Sequence, residues 1–166
     1  GDDGRNVGRA LLGLKRLKAD SFVVRCAAAD LLWKEGYDYR SDRDDHYVVS
    51  LHAAGFISVV GGEEAIAPLR MAMAAMRKKL DPFEKFVSGP EENIYIICAM
   101  ALKDLALRGV LRLEPGDVEL AAWVFARKIE VVPADPIPHR SLARIYSVAG
   151  WYEKAAAKGD TYGLFY

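Results

Sequence analysis

Apolar residues recur three and four apart through most of this sequence, and the recurrence is cut at short intervals by glycine, proline or clustered polar residues. That pattern dictates short helices joined by tight turns, because a helix buries a stripe of that period and neither a proline nor a left-handed glycine continues it. With no stretch that alternates like a strand, the expected fold is all-α, with antiparallel neighbours. Val7, Leu11, Leu14 and Leu17 share one face of a helix over 6–18, while Arg9, Lys15, Arg16 and Lys18 stay in water. Asp20 or Ser21 caps a second helix that ends at Gly36, and 37–45 is a polar loop. The run 46–60 holds enough β-branched residues for a hairpin turning at His52–Gly55. Asp44 and Asp45 before it and Gly61–Gly62 after it favour a helix instead. Further helices follow from Glu63 to Asp81, from Pro90 toward Pro115–Gly116, from an Asp117 cap to Val132, through Leu142 to Gly150, and over 151–158.

Composition narrows the class. At 52% hydrophobic and 28% charged residues, with 23 basic against 23 acidic side chains in 166 residues, the chain is one ordered domain. The balance also disfavours a nucleic-acid partner held by bulk charge. The longest uncharged stretch, His46–Gly62, holds two histidines and two serines and is too short for the roughly 20 apolar residues of a membrane span. Cys26 and Cys98 sit far apart in apolar runs without a CxxC, which reads as two buried thiols in a reducing compartment.

Motifs for nucleotide, hydrolase or zinc chemistry do not occur, and no catalytic residue and no cofactor is assigned. Asp42, Asp44, Asp45 and His46 have the donor types for a divalent cation. A solvated loop that caps the following helix is the favoured explanation of them, and metal-free is the expectation. His52 on an apolar helix reads as a core residue, and His139 as one near a helix start.

A repeat emerges in the last third. Leu142, Ala143, Tyr146, Gly150, Tyr152 and Ala155 follow a large–small–aromatic–glycine–aromatic–small order, and Gly109, Gly116 and Ala121 stand 34 positions before Ala143, Gly150 and Ala155, with Phe125 and Pro133 behind them. This segment resembles the tetratricopeptide repeat. A looser match upstream runs through Ala53, Phe56, Ala65, Leu69 and Ala72, displaced by an insertion near 83–90. Pentatricopeptide repeats are similar at Tyr146–Ala155. The resemblance implies a single helical domain over 1–166, with N-terminal helices and the acidic loop at 6–45, a degenerate repeat at 46–82, and units at 102–135 and 136–166, stacked as a short α-solenoid.

That family implies a non-catalytic scaffold for other proteins, an accessory or assembly subunit of a larger complex. In such arrays the first helices of the units line a groove, and the resemblance puts Lys103, Arg140 and Arg144 there, facing an acidic partner segment. The asparagines that accompany such cations in carboxylate-clamp members are missing. Tyr162, Leu164, Phe165 and Tyr166 have no helix left to bury them, so they cap the last helix pair or dock on a neighbour. Other proteins are thus the expected partners, with neither a small-molecule substrate nor nucleic acid. Gly1 in place of an initiator methionine fits a trimmed or excised chain, and tetratricopeptide-like proteins extend the expectation to a chloroplast or mitochondrion. Two readings compete: an enzyme or metal-binding domain using Asp42–His46, and a pentatricopeptide-like RNA binder.

Overall fold

The computed structural model describes residues 2–32, 46–81 and 89–157. The described residues form helices only: α1 (Asp2–Arg16), α2 (Phe22–Asp30), α3 (His46–Val60), a 3-10 turn at Glu63–Ala65, α4 (Ile66–Leu80), α5 (Pro90–Leu107), α6 (Pro115–Val131), α7 (Pro136–Val148) and α8 (Tyr152–Ala157). The run 46–60 is therefore a helix and not a hairpin. No helix among the described residues is long and apolar enough to cross a membrane.

Local chemistry sets most of these limits. The Ser21 hydroxyl accepts the Val24 N–H at 3.3 Å and starts α2. Pro90, Pro115 and Pro136 each stand in the first turn of a helix, where a missing N–H costs nothing. The start of α6 differs from expectation: Glu114, not Asp117, is the capping residue. Asp117 is the third helical residue of a capping box, its carboxylate accepting the Glu114 N–H at 3.2 Å. The preceding helix also stops sooner than its apolar pattern, at Leu107. Gly109 adopts φ +78°, and Val110 N–H returns to the Leu105 carbonyl at 3.0 Å. Helix α7 ends in the same way, with Gly150 at φ +78° and Trp151 N–H on the Tyr146 carbonyl at 2.8 Å.

Side-chain bonds give the helix directions. Asn93 donates to the Tyr47 hydroxyl at 2.8 Å near the starts of α5 and α3, and the Ser58 hydroxyl donates to Asp104 near their ends. Helices α3 and α5 therefore run parallel. Arg108, just past α5, donates to the carbonyls of Ile57, Ser58 and Gly61 at 3.0, 3.2 and 2.8 Å and closes the last turn of α3. Arg70 of α4 forms a two-point bond to Asp117 of α6, at 2.7 and 2.8 Å.

Each substantial packing joins helices no more than two places apart: α1 on α3, α2 on α3 and α4, α3 on α5, α4 on α5 and α6, α5 on α6 and α7, α6 on α7, and α7 on α8. Helix α5, packed on four others, carries the middle of one apolar core that includes Phe56, Leu69, Met73, Ile94, Tyr95, Leu102 and Leu105. Burial repeats along the odd-numbered helices. Val49, Ala53, Ala54 and Phe56 of α3 correspond to Ile94, Cys98, Ala99 and Ala101 of α5, a shift of 45 residues. A shift of 44 leads on to Pro138, Leu142, Ala143 and Ile145 of α7. Ala54, Ala99 and Ala143, all fully buried, are thus equivalent small residues. The expected spacing of 34 had paired Ala143 with Gly109, which lies in the turn beyond α5.

Candidate functional site

Equivalence between the helices defines a surface. At 45 and then 44 residues, Leu51 corresponds to Ile96 and Arg140, and Gly55 to Met100 and Arg144; all six are half-buried. On α5 the four-residue step from Ile96 to Met100 and the seven-residue step to Leu107 keep the three side chains on one side of the helix. Leu107 is 63% exposed. Helices α3, α5 and α7 therefore carry a stripe of equivalent half-buried positions, apolar on α3 and α5 and cationic on α7. At Gly55 helix α1 packs on α3, and the Lys15 ammonium of α1 stands 3.6 Å from where a Gly55 Cβ would lie.

Arg140 and Arg144, expected to face one groove, lie one turn apart on α7 at positions of this stripe. The Nε atoms of both are buried, while each residue stays partly accessible. Arg140 also engages another group of the chain. Lys103, placed beside them by the 34-residue spacing, is not on the stripe. It is 7% exposed, and its ammonium lies 3.2 Å from the Asp104 carboxylate. The cause is helical geometry: three residues on from Met100 a side chain turns about 60° around the axis, away from the stripe and deeper into packing. Ile96, Met100 and Leu51 carry no motif, and they are half-buried, packed against the core.

The other candidates separate from this surface. Tyr162, Leu164, Phe165 and Tyr166, and Asp42, Asp44 and Asp45, lie outside the described residues, as does the side chain of His46. Among the described residues no group of three or more His, Cys, Asp or Glu comes together as metal ligands. His52 packs into the crossing of α1 and α3, its Cδ2 only 2.9 Å from where a Gly8 Cβ would stand, so a side chain there would have to displace the imidazole. His139 lies against the preceding turn, its Nε2 2.9 Å from the Pro133 carbonyl.

Buried charge elsewhere is committed to joining helices. Lys128 of α6 pairs with the buried Glu92 of α5. Burial by itself would raise the Asp117 carboxyl, but the Arg70 guanidinium and the Glu114 N–H outweigh it and hold the group below the usual aspartate range. Arg25 and Glu64, 3.3 Å apart, close on Gly62, whose N–H donates to Glu64 at 2.8 Å. Compared with models of protein families, with curated proteins and with solved structures, the chain matches none.

Proposed function

We propose that this chain is a non-catalytic protein-interaction scaffold, a short α-solenoid of stacked helical hairpins that serves as an accessory or assembly subunit of a larger complex. The observation that carries the reading is the packing order, in which each helix rests on helices one or two places along the chain. Such stacking makes an elongated body with a face built from successive equivalent helices, a surface suited to holding a partner segment and not to enclosing a substrate. The tetratricopeptide resemblance at 142–155 supports the same architectural class. Its hallmark small and turn positions, Ala143 and Gly150, serve as a buried crossing residue and a helix stop.

Affinity isolation of the tagged full chain from its native source tests the proposal. A defined set of proteins in fixed proportion to the bait, retained through size-exclusion chromatography, is the expected result. A native chain that migrates alone at the size of a single copy overturns it.

A further inference from the structure

We infer that the turn joining α1 to α2 is a contact site for an anionic lipid bilayer, with an apolar tip that enters the interface and cations that meet the headgroups. This goes beyond the scaffold reading and does not depend on it. The helical period assigns Leu17 to the packed face with Leu11 and Leu14, yet α1 ends at Arg16 and Leu17 is 80% exposed. Lys18 takes φ +50°, and Ala19 N–H closes on the Leu14 carbonyl at 3.0 Å, so a hydrogen-bonded turn holds Leu17 outside. Helix α2 then opens with two more bulky apolar side chains in water, Phe22 at 64% and Val23 at 77% exposure. Among the described residues, Leu17 and Val23 are the most exposed large hydrophobics. The Phe22 ring is braced within its own helix by Arg25, whose guanidinium lies 5.9 Å from the ring centroid and pairs with Glu64. Leu17 and Phe22 are close in the chain, which keeps their Cα atoms within about 18 Å of each other.

Charge around this tip is one-sided. The chain as a whole is balanced, 23 basic against 23 acidic residues, but within 5–23 Asp20 is the only acid. Arg5, Arg9, Arg16 and Lys18 are all exposed there. At about 100° per residue, Arg5, Arg9 and Arg16 fall within about 40° of one another around α1, turned away from the buried Leu11. Asp2 and Asp3 begin the helix, about 20 Å from the turn. Cations alone would suit any anionic partner, and the apolar tip decides among them. Nucleic acid offers phosphates but no apolar medium for projecting leucine, phenylalanine and valine, whereas a bilayer interface offers anionic headgroups above an acyl boundary. Either signal alone binds weakly, and the two together give reversible anchoring. Helix α1 keeps its apolar face on α3, so the turn enters the interface and the helix lies along the headgroups.

Flotation of the purified full chain with vesicles of phosphatidylcholine containing about 30% phosphatidylserine tests the assignment. Binding should weaken as salt rises, and on pure phosphatidylcholine it should be about tenfold weaker or more. The variant R9E/R16E should lose about 20-fold or more, because each cation near an anionic surface contributes about fivefold. L17S/V23S, which leaves every charge in place, should lose about tenfold or more and should not recover at low salt. K78E/K79E is the control for net charge. These exposed residues end α4, about 18 Å along it from the 3-10 turn on which α2 packs, and their reversal should leave binding unaltered. Each variant is compared at an unchanged melting midpoint. Four outcomes overturn the assignment: no binding to the anionic vesicles at low salt, equal binding to both vesicle types, unchanged binding by L17S/V23S, or self-association of the chain that L17S/V23S abolishes. Capture of polyglutamate or a single-stranded oligonucleotide in preference to the vesicles would overturn it too, giving the cations to a protein or a nucleic acid. The assay contains no protein partner, so its failure leaves the scaffold reading standing, and loss of the scaffold reading leaves vesicle binding to be judged by itself.

Discussion

Cys98 lies in the middle of α5 among Ile94, Ala101 and Leu102, and burial pushes its thiol up to about 12. That burial keeps the group in its thiol form at neutral pH, and the thiolate is the reacting species. Cys26 on α2 is half-buried and reachable. A disulfide-exchange reagent should therefore modify Cys26 in the folded chain and reach Cys98 only as fast as the protein unfolds. Measured on Cys26→Ser, rapid native labelling would contradict this burial. Backbone conformation is decided at the same scale. Gly109, Gly150 and Lys18 all have positive φ, and each follows the end of a helix whose last carbonyls it helps to satisfy. Two of these three are glycines because a side chain in that region is strained.

At the scale of elements, ion pairs fix how one helix pair sits on the next. Arg70 and Asp117 join the first turns of α4 and α6, and Asp117 also closes the α6 capping box, so a single carboxylate holds both a helix start and a helix contact. Its folded value lies below its unfolded one, near 3.9 for an ordinary aspartate. The group therefore contributes stability that is fully present above that unfolded value and lost as pH falls through the lower folded value. Arg70→Met should lower stability at pH 7 by about 1 kcal/mol, at the low end for a charged pair because Arg70 is 44% exposed. It should also flatten the acid limb of a urea-denaturation series between pH 5 and pH 2, roughly the range spanning an aspartate's titration. An acid limb identical to wild type would show that the pair adds nothing.

Over the whole molecule, stacking makes stability uneven. Helix α5 is packed on α3, α4, α6 and α7, while α1 packs chiefly on α3 and α8 on α7. Among the described residues, opening α1 or α8 exposes one main interface, whereas opening α5 breaks the core, so local unfolding should cost most at α5. Native-state hydrogen exchange is expected to show α5 amides protected about 100-fold more than those of α1 and α8, equivalent to about 2.7 kcal/mol. Equal protection throughout would indicate a single all-or-none unit in place of an array.

Helix positions were legible in the sequence because their causes are local. Ser21 as a cap, the three prolines in first turns and Gly150 as a stop act through neighbours a few residues away, and the apolar period of α3 outweighed its β-branched content. The placement of Arg140 and Arg144 on one side of α7 followed from the same helical period. What only the tertiary structure decided is how the helices are matched to each other. The burial pattern along α3, α5 and α7 recurs after 45 and then 44 residues, and no local signal records that spacing. Lys103 was drawn to the cationic stripe by a spacing that fits α7, and the rotation of α5 put it in packing against Asp104 instead. Leu51, Ile96 and Met100 are half-buried and pack against the core, and how much of each stays exposed depends on which side of its helix the neighbours cover, which packing alone decides.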